Sequence, residues 1–512
     1  MNCLFFVPFT CTYTITLPTF SILENAEEFF KQGNVVKLFY CDGKRVSTCL
    51  ANMSGNRMAC RCCNLYQQNL FAMLSDGIEI IPLSKMLEEK THEDHAFKFE
   101  YNSVKDIQNI IYKGARIGYA ALSIYLTISR NMNPLIDEAF KAYFDKLLEQ
   151  GARYTDLALA ALDKYSPDTV AVFNTRMLYA RPMVDLCEKQ GIDYIAFETV
   201  CNTQNEGAWT FFKNDRVHSV EYNTERINRY WASSLFSEEE KIRIAEQFFY
   251  KRRNAVPAAD KVYIEAQQAG KLPDNWDSTK HNIVIFNSSE DELASCYEGL
   301  EDLFPSQFEG IKYMFNQLKE EKDIHIYLRI HPNLTHINYL YHTKLYEFRE
   351  WFNNITIIPP SSDISTYALI DAADKVVVFG STTGVESVYW GKPVILLSNF
   401  AMYLLLDICY MPKNKEEIVP LLQDRKLQPK DKLGALKFAY YYMNDEYPAY
   451  QFFKNNKKTY KFFSQSVIVY KLMLKKKKWR SYYAILIQII GKYFCFSNLN
   501  YPEEEDITSY MT

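Results

Sequence analysis

The residues best spaced for chemistry lie in the segment 376–395, VVVFGSTTGVESVYWGKPVI. An apolar strand runs into Gly380, then Ser381, Thr382 and Thr383, then Gly384 and a helical pattern. The two glycines let the backbone turn tightly, and three short hydroxyl residues bring N–H and O–H groups to the start of a helix. Such a turn can cradle an anion the size of a phosphate. Glu386, in the first turn of that helix, can accept hydrogen bonds from vicinal hydroxyls such as a ribose offers. The structural alternative is that Ser381, Thr382 and Thr383 cap the helix and Glu386 complements its dipole.

Upstream, 324–331 alternates strictly. Ile324, Ile326, Leu328 and Ile330 share one face, and His325, Tyr327, Arg329 and His331 share the other. His331 and Pro332 fall where this strand ends, on the C-terminal edge of a sheet, and open α/β sheets bind ligands at that edge. A histidine there can donate to a phosphate oxygen or support a leaving group, or it can be purely structural. Ser288 and Ser289 follow the strand 283–286, and Ser365 precedes a helical stretch that it can cap or beside which it can touch a nucleobase.

In the first half, three strand ends carry polar groups: Asp42 after 35–41, Asn174 and Arg176 after 169–173, and Glu198 after 194–197. Transfer to a hydroxyl needs a base, and a carboxylate at a strand end can serve, so Asp42 and Glu198 are the candidates. Each can equally be a capping or ion-paired carboxylate. Cys41, Cys49, Cys60 and Cys63 include one Cys-x-x-Cys pair, and four thiols can close a structural tetrahedral zinc site or remain reduced and packed. His92 and His95 lack the i, i+4 spacing of a zinc helix.

Ser288-Ser289-Glu290-Asp291-Glu292, His331-Pro332, Ser365-Thr366-Tyr367 and GSTTGVESVYWGKPVI together resemble the donor domain of capsular polysaccharide and lipopolysaccharide glycosyltransferases of the GT-B fold. The chain is similar to capsule polysaccharide synthesis proteins and, more distantly, to the glycerophosphotransferases of teichoic acid assembly. Over 281–400 the resemblance implies that Ser381, Thr382 and Thr383 hold the donor phosphate, that Glu386 holds the ribose, and that His331 lies near the phosphate. It puts Ser288, Ser289 and Ser365 on the donor side as well. The stretches AVFNTRM and IDYIAFET, followed by His218, resemble the acceptor domain and put Asn174, Arg176 and His218 on the acceptor side. That pattern usually reads Asn-Gly-Arg and Glu-Arg-Gly; here Thr175 stands for the glycine and Thr199 follows Glu198. The departure bears on which acceptor is used. Related proteins often carry a similar cysteine run.

The implied partners are a nucleotide sugar donor and a glycan or lipid-linked acceptor. No Asp-x-Asp pair occurs, which favours transfer without a required metal or other cofactor. Walker-type and Gly-x-Gly-x-x-Gly loops are absent too, so kinase, ATPase and dehydrogenase chemistry lose ground. The rival readings are glycerophosphotransfer, nucleotide-sugar epimerisation, and a non-catalytic capsule assembly protein.

These groups need a scaffold of alternating strands and helices. Apolar runs at 2–7, 35–40, 169–173 and 194–197 predict strands, with a helix near 179–189 and a wholly helical region at 102–165. The polar stretch 267–280 reads as a linker, after which strands recur at 283–286, 324–330, 355–358, 375–379 and 394–397. The expected fold is therefore α/β, two Rossmann-like domains facing across a cleft, with C-terminal helices. The expected divisions are 1–266 for the acceptor, 281–450 for the donor and 451–512 for a basic aromatic tail.

A chain of 512 residues suits such a two-domain plan, and 48% hydrophobic with 23% charged residues is a globular composition. No signal peptide is readable in the first 30 residues, and twelve cysteines then fit the reducing cytoplasm. Residues 451–480 hold ten Lys or Arg and no acid, leaving 48 basic against 62 acidic residues elsewhere. A body so acidic is a poor partner for nucleic acid. The tail's cations, interleaved with aromatics, suit an anionic membrane surface on the inner face of the plasma membrane, or simply a solvated helix face.

Overall fold

The computed structural model describes residues 1–7, 17–43, 63–64, 67–68, 70–88, 97–200, 208–233, 236–256, 263–293 and 303–443. Cys49, Cys60, His92, His95, Glu292's side chain and the tail 451–512 lie outside the described residues. Backbone contacts group the chain into two compact units, one of 1–4 with 93–450 and one built on 5–92.

In the smaller unit, β2 (Val35–Tyr40) pairs in parallel with β3 (Glu79–Pro82), and Lys37 faces and ion-pairs with Glu79 at 3.0 Å. Helix α1 (Leu17–Lys31) packs on β2, and Phe29 meets Phe5 edge-on at 5.5 Å. Asn2, at the start of β1 (Asn2–Val7), belongs to the larger unit, where its N–H donates to the Asp168 carboxylate at 2.7 Å.

The larger unit carries β4 (Thr169–Phe173) parallel to β5 (Asp193–Val200), with β6 (Ala208–Lys213) antiparallel on β5. Within this unit the strand order is β4-β5-β6. Helices α2 (Ile117–Ser129), α3 (Glu138–Tyr165) and α4 (Arg181–Gln190) pack together in this part of the unit. Asp137 caps α3 by accepting from the Phe140 N–H at 2.8 Å, and Gly191 ends α4 at φ 70°. The expected helical run 102–165 is interrupted. A turn bridged between Tyr112 and Ala115, with Lys113 at φ 48° and Gly114 at φ 98°, separates Val104–Gln108 from α2. A glycine suited to the left-handed region ends one helix and admits a turn.

The second sheet has five parallel strands in the order β11-β10-β7-β8-β9: β7 (His281–Phe286), β8 (Ile324–Arg329), β9 (Ile355–Ile358), β10 (Lys375–Val378) and β11 (Val394–Leu396). All residues of β7, β8 and β10 are buried, as expected for a parallel sheet covered on both faces. One face packs Ile283, Ile285, Ile326 and Leu328 on Ile311, Phe315 and Leu318 of a helix spanning Gln307–Leu318. The other packs Val284, Tyr327, Val376 and Val378 with side chains of α5 (Val220–Ser233) and α6 (Glu238–Arg253). The polar face of β8 is therefore buried rather than wet. Trp276 stacks on Tyr327 at 4.3 Å, and Arg329 donates to the Pro359 and Ser362 carbonyls at 2.9 and 3.1 Å. The chain's last described helix, Leu433–Met443, returns onto α5 and α6, with Tyr441 against Tyr230 and Phe438 against Phe248. Among the described residues no helix is long and apolar enough to cross a membrane.

Candidate functional site

The second sheet reverses direction beside its central strand. From β7 the chain steps outward to β8 and β9, then returns to β10 on the other side of β7. At such a switch the loops leave opposite faces and open a crevice at the C-terminal strand ends. Three segments leave the sheet at that edge: 287–291 after β7, 331–334 after β8 and 380–384 after β10. Ser288 ties the first of them to the end of β10, its hydroxyl donating to the Phe379 carbonyl at 2.6 Å and accepting from the Gln307 carboxamide at 2.9 Å. It is buried, so its place is that of a brace between β7 and β10.

The Ser/Thr turn is built as its residue types suggest. Gly380 takes φ 93°. The Ser381 hydroxyl donates to the Thr383 hydroxyl at 3.0 Å and accepts the Thr383 N–H at 3.3 Å, while the Tyr403 hydroxyl donates to the Ser381 carbonyl at 2.6 Å. A Cβ on Gly384 would stand 2.6 Å from the Tyr403 oxygen, so only glycine lets the helix Thr383–Tyr389 start there. Ser381, Thr382 and Thr383 are half-exposed, and the Thr382 side chain makes no capping bond.

Glu386 sits elsewhere than its first-turn position suggests. It is buried, with Oε1 accepting from Arg252 Nε at 3.0 Å and Oε2 accepting from the Tyr367 hydroxyl. Burial, with the Glu386 charge beside it, pushes the Tyr367 hydroxyl far above its usual range and keeps it a donor. Both carboxylate oxygens thus have partners inside the protein. Ser365 is likewise engaged: it caps Thr366–Ala372 by accepting the Ala368 N–H at 3.1 Å.

His331 begins a single turn of 3-10 helix. Its Nδ1 accepts the Asn333 N–H at 3.1 Å, which places the proton of the neutral ring on Nε2. Its own N–H donates to the Asn287 side chain at 2.8 Å, and Tyr263 meets the ring edge-on at 5.3 Å. Beside it, Ser289 accepts from Asn333 Nδ2 at 3.3 Å and from Arg130 Nη2 at 2.9 Å. Arg130 was not legible as a site residue. It ends α2, 159 residues before Ser289, and no local motif marks it.

The first-half candidates divide between the units. In the larger, the ends of β4 and β5 and the turn before α5 form one group. Asn174, at φ 61°, donates from Nδ2 to Glu198 at 2.8 Å and accepts the Arg176 N–H at 2.9 Å. Thr175, where the related pattern has glycine, accepts the Val217 N–H at 3.1 Å. That bond ties β4 to the segment bearing His218, itself at φ 72°. Burial, with the Arg176 charge nearby, pushes the His218 imidazole down to about 4. The ring is neutral at physiological pH and can accept as well as donate. In the smaller unit Asp42 is buried and accepts from the Ser84 hydroxyl, while its backbone carbonyl accepts from Asn64 Nδ2. Cys41 and Cys63 are half-buried there; with Cys49 and Cys60 outside the described residues, the four-thiol set has no described geometry.

Mainly parallel sheets covered by helices define the class as α/β. Residues 169–406 match the family described as capsule polysaccharide biosynthesis protein. No curated protein matches the chain. Among solved structures it is similar to a beta Kdo 2,4 transferase, KpsC of Thermosulfurimonas dismutans, at 16% identity and TM-score 0.35, covering 53% of this chain and 79% of that one. It is similar to a UDP-GlcNAc 2-epimerase from Neisseria meningitidis bound to UDP-GlcNAc, at 12% and 0.28, covering 86% and 98%. It is also similar to the sucrose-phosphate synthase of Thermosynechococcus elongatus, at 9% and 0.27, covering 91% and 100%.

Proposed function

We propose that the protein is a glycosyltransferase moving a sugar from a nucleotide-activated donor to a growing surface glycan or a lipid-linked acceptor. The observation that carries this is the placing of the half-exposed Ser381–Thr383 turn after β10 and of His331 after β8, at the same edge of the sheet on the two strands that flank β7. Backbone N–H groups and short hydroxyls there suit the donor phosphate, and the His331 Nε2 proton suits the oxygen that gains charge as the nucleotide leaves. The acceptor hydroxyl attacks the anomeric carbon, the bond from that carbon to the phosphate oxygen breaks, and the nucleotide departs with the electron pair. The hydroxyl proton passes to a base. Between Asp42 and Glu198 we favour Glu198, which is half-buried rather than buried and shares a group with Asn174, Arg176 and His218. Since Glu386 is held by Arg252 and Tyr367, its part in ribose binding would be to fix the donor helix, or would require that pair to open.

The test is product analysis with a panel of nucleotide sugars and short capsular glycan primers. Extension of the primer with release of nucleotide supports the proposal. Recovery of an isomerised nucleotide sugar would make the protein an epimerase, transfer of a glycerol phosphate unit a glycerophosphotransferase, and binding without turnover an assembly protein. We assign the basic tail to an anionic membrane surface that presents the lipid-linked acceptor. Binding to vesicles containing phosphatidylserine, salt-sensitive and lost when Lys475–Lys478 become Gln, would support that. Wild type left in the supernatant at low salt would refute it.

A further inference from the structure

We propose that Arg130 is the positioning residue for His331, holding its ring in the Nε2–H form. This rests on the donor-side role of His331 given above, but the geometry stands independently. Arg130 follows α2 in the left-handed conformation, φ 56° and ψ 18°, which side-chain-bearing residues seldom adopt. The conformation is held at both ends: its N–H donates to the Leu126 carbonyl at 2.9 Å, and its carbonyl accepts from the Tyr341 hydroxyl at 3.1 Å. So fixed, the guanidinium reaches the C-terminal edge of the second sheet and spends its flat fork on three partners. Nε and Nη2 grip the buried Asp291 carboxylate, Nη2 reaches the Ser289 hydroxyl at 2.9 Å, and Nη1 donates to the Asn333 carbonyl at 3.1 Å.

Asn333 is the link. Its carbonyl is held by Arg130, its side chain donates to Ser289 at 3.3 Å, and its N–H donates to His331 Nδ1 at 3.1 Å. With Asn333 held from two sides, that N–H points at Nδ1, and the imidazole can keep its proton only on Nε2. A histidine whose second nitrogen is so engaged presents one tautomer and one ring orientation. Release of Asn333 would let the ring rotate or take the Nδ1–H form, which cannot donate from Nε2. Lysine offers a point charge without the fork and cannot hold Asp291, Ser289 and Asn333 at once.

The readout is the tautomer itself, by nitrogen–proton correlation spectra of the full chain labelled in its histidine rings, with His331→Gln identifying the resonances. Wild type should show Nδ1 unprotonated and Nε2 protonated. In R130M/D291L, which removes the pair without leaving a buried charge, the two nitrogen shifts should move toward each other; R130K should do the same while keeping the cation. With the nucleotide sugar the panel selects, kcat should fall by about 10- to 100-fold in both variants, and the donor KM should change by less than about threefold. An unchanged tautomer in a folded variant overturns the inference whatever the kinetics. A shifted tautomer with His331→Gln fully active supports the positioning and overturns instead the donor-side role of His331.

Discussion

The two strand-end groups of the larger unit are built in opposite ways. At 380–384 the left-handed turn falls on Gly380, Gly384 packs under Tyr403, and the groups on offer are backbone N–H and short hydroxyls. At 174–218 the left-handed positions are Asn174 and His218, and the groups on offer are side chains: a carboxamide, a guanidinium, a carboxylate and a neutral imidazole. Glycine reaches positive φ without strain, whereas a residue with a side chain does so at a cost of about 1–2 kcal/mol. Strain is therefore accepted where the side chain itself is needed. On the proposed reading, a phosphate is the same in every donor and can be met by backbone, whereas an acceptor hydroxyl must be chosen among many, which would fall to side chains.

The largest expected effect tests whether the helix Thr383–Tyr389 is anchored by its buried pair. Glu386→Ala leaves Arg252 buried without its counter-ion, and should cost about 3–5 kcal/mol in chemical denaturation. A loss below about 1 kcal/mol would show the pair to be dispensable and return Glu386 to the ribose.

Next comes acid stability, where the two regions differ in kind. His218 in the 174–218 group and His325 in β8, held against Thr356, are both pushed down to about 4 by burial. Unfolded, each takes its proton near 6.5. Between those values the unfolded chain binds more protons, so their contribution is complete above 6.5 and is lost as pH falls toward 4. For the well-buried His325 this is roughly 3 kcal/mol, so His325→Gln should flatten the acid limb of the denaturation profile by about that much. An unchanged limb would mean the ring is charged in the folded protein.

Gly380→Ala should cost about 1–2 kcal/mol through its φ of 93° and weaken nucleotide binding measured by calorimetry. Asn174→Gly should be the mildest for stability, within about 1 kcal/mol of wild type, since glycine relieves the strained φ. It should nonetheless slow transfer, because the Glu198 contact goes with the side chain. If Asn174→Gly keeps full activity, the contrast between the two groups fails.

Much of this was legible beforehand. The strands of the second sheet are continuous apolar runs, and the expected bounds agree with the observed ones to within two residues. The Gly–Ser–Thr turn is readable because conformation and chemistry reside in the same five residues. What escaped depends on distant partners. Strand β6 is an edge strand whose ring pair, Phe211 and Phe212, lies against Arg226 of α5. Glu386 read as an open first-turn acid because Arg252 and Tyr367 come from other helices. Arg130 carried no signal because its partners, Ser289, Asp291 and Asn333, join it only through the fold.

The most direct test of the account is hydrogen–deuterium exchange of the full chain, with and without the nucleotide that the panel selects. The account predicts slowed exchange at 331–334 and 380–386 on nucleotide addition, with 174–176 and 216–218 unchanged until a glycan primer is added. Protection confined to 174–176 and 216–218 on nucleotide addition, with the second sheet's edge unaffected, would contradict it.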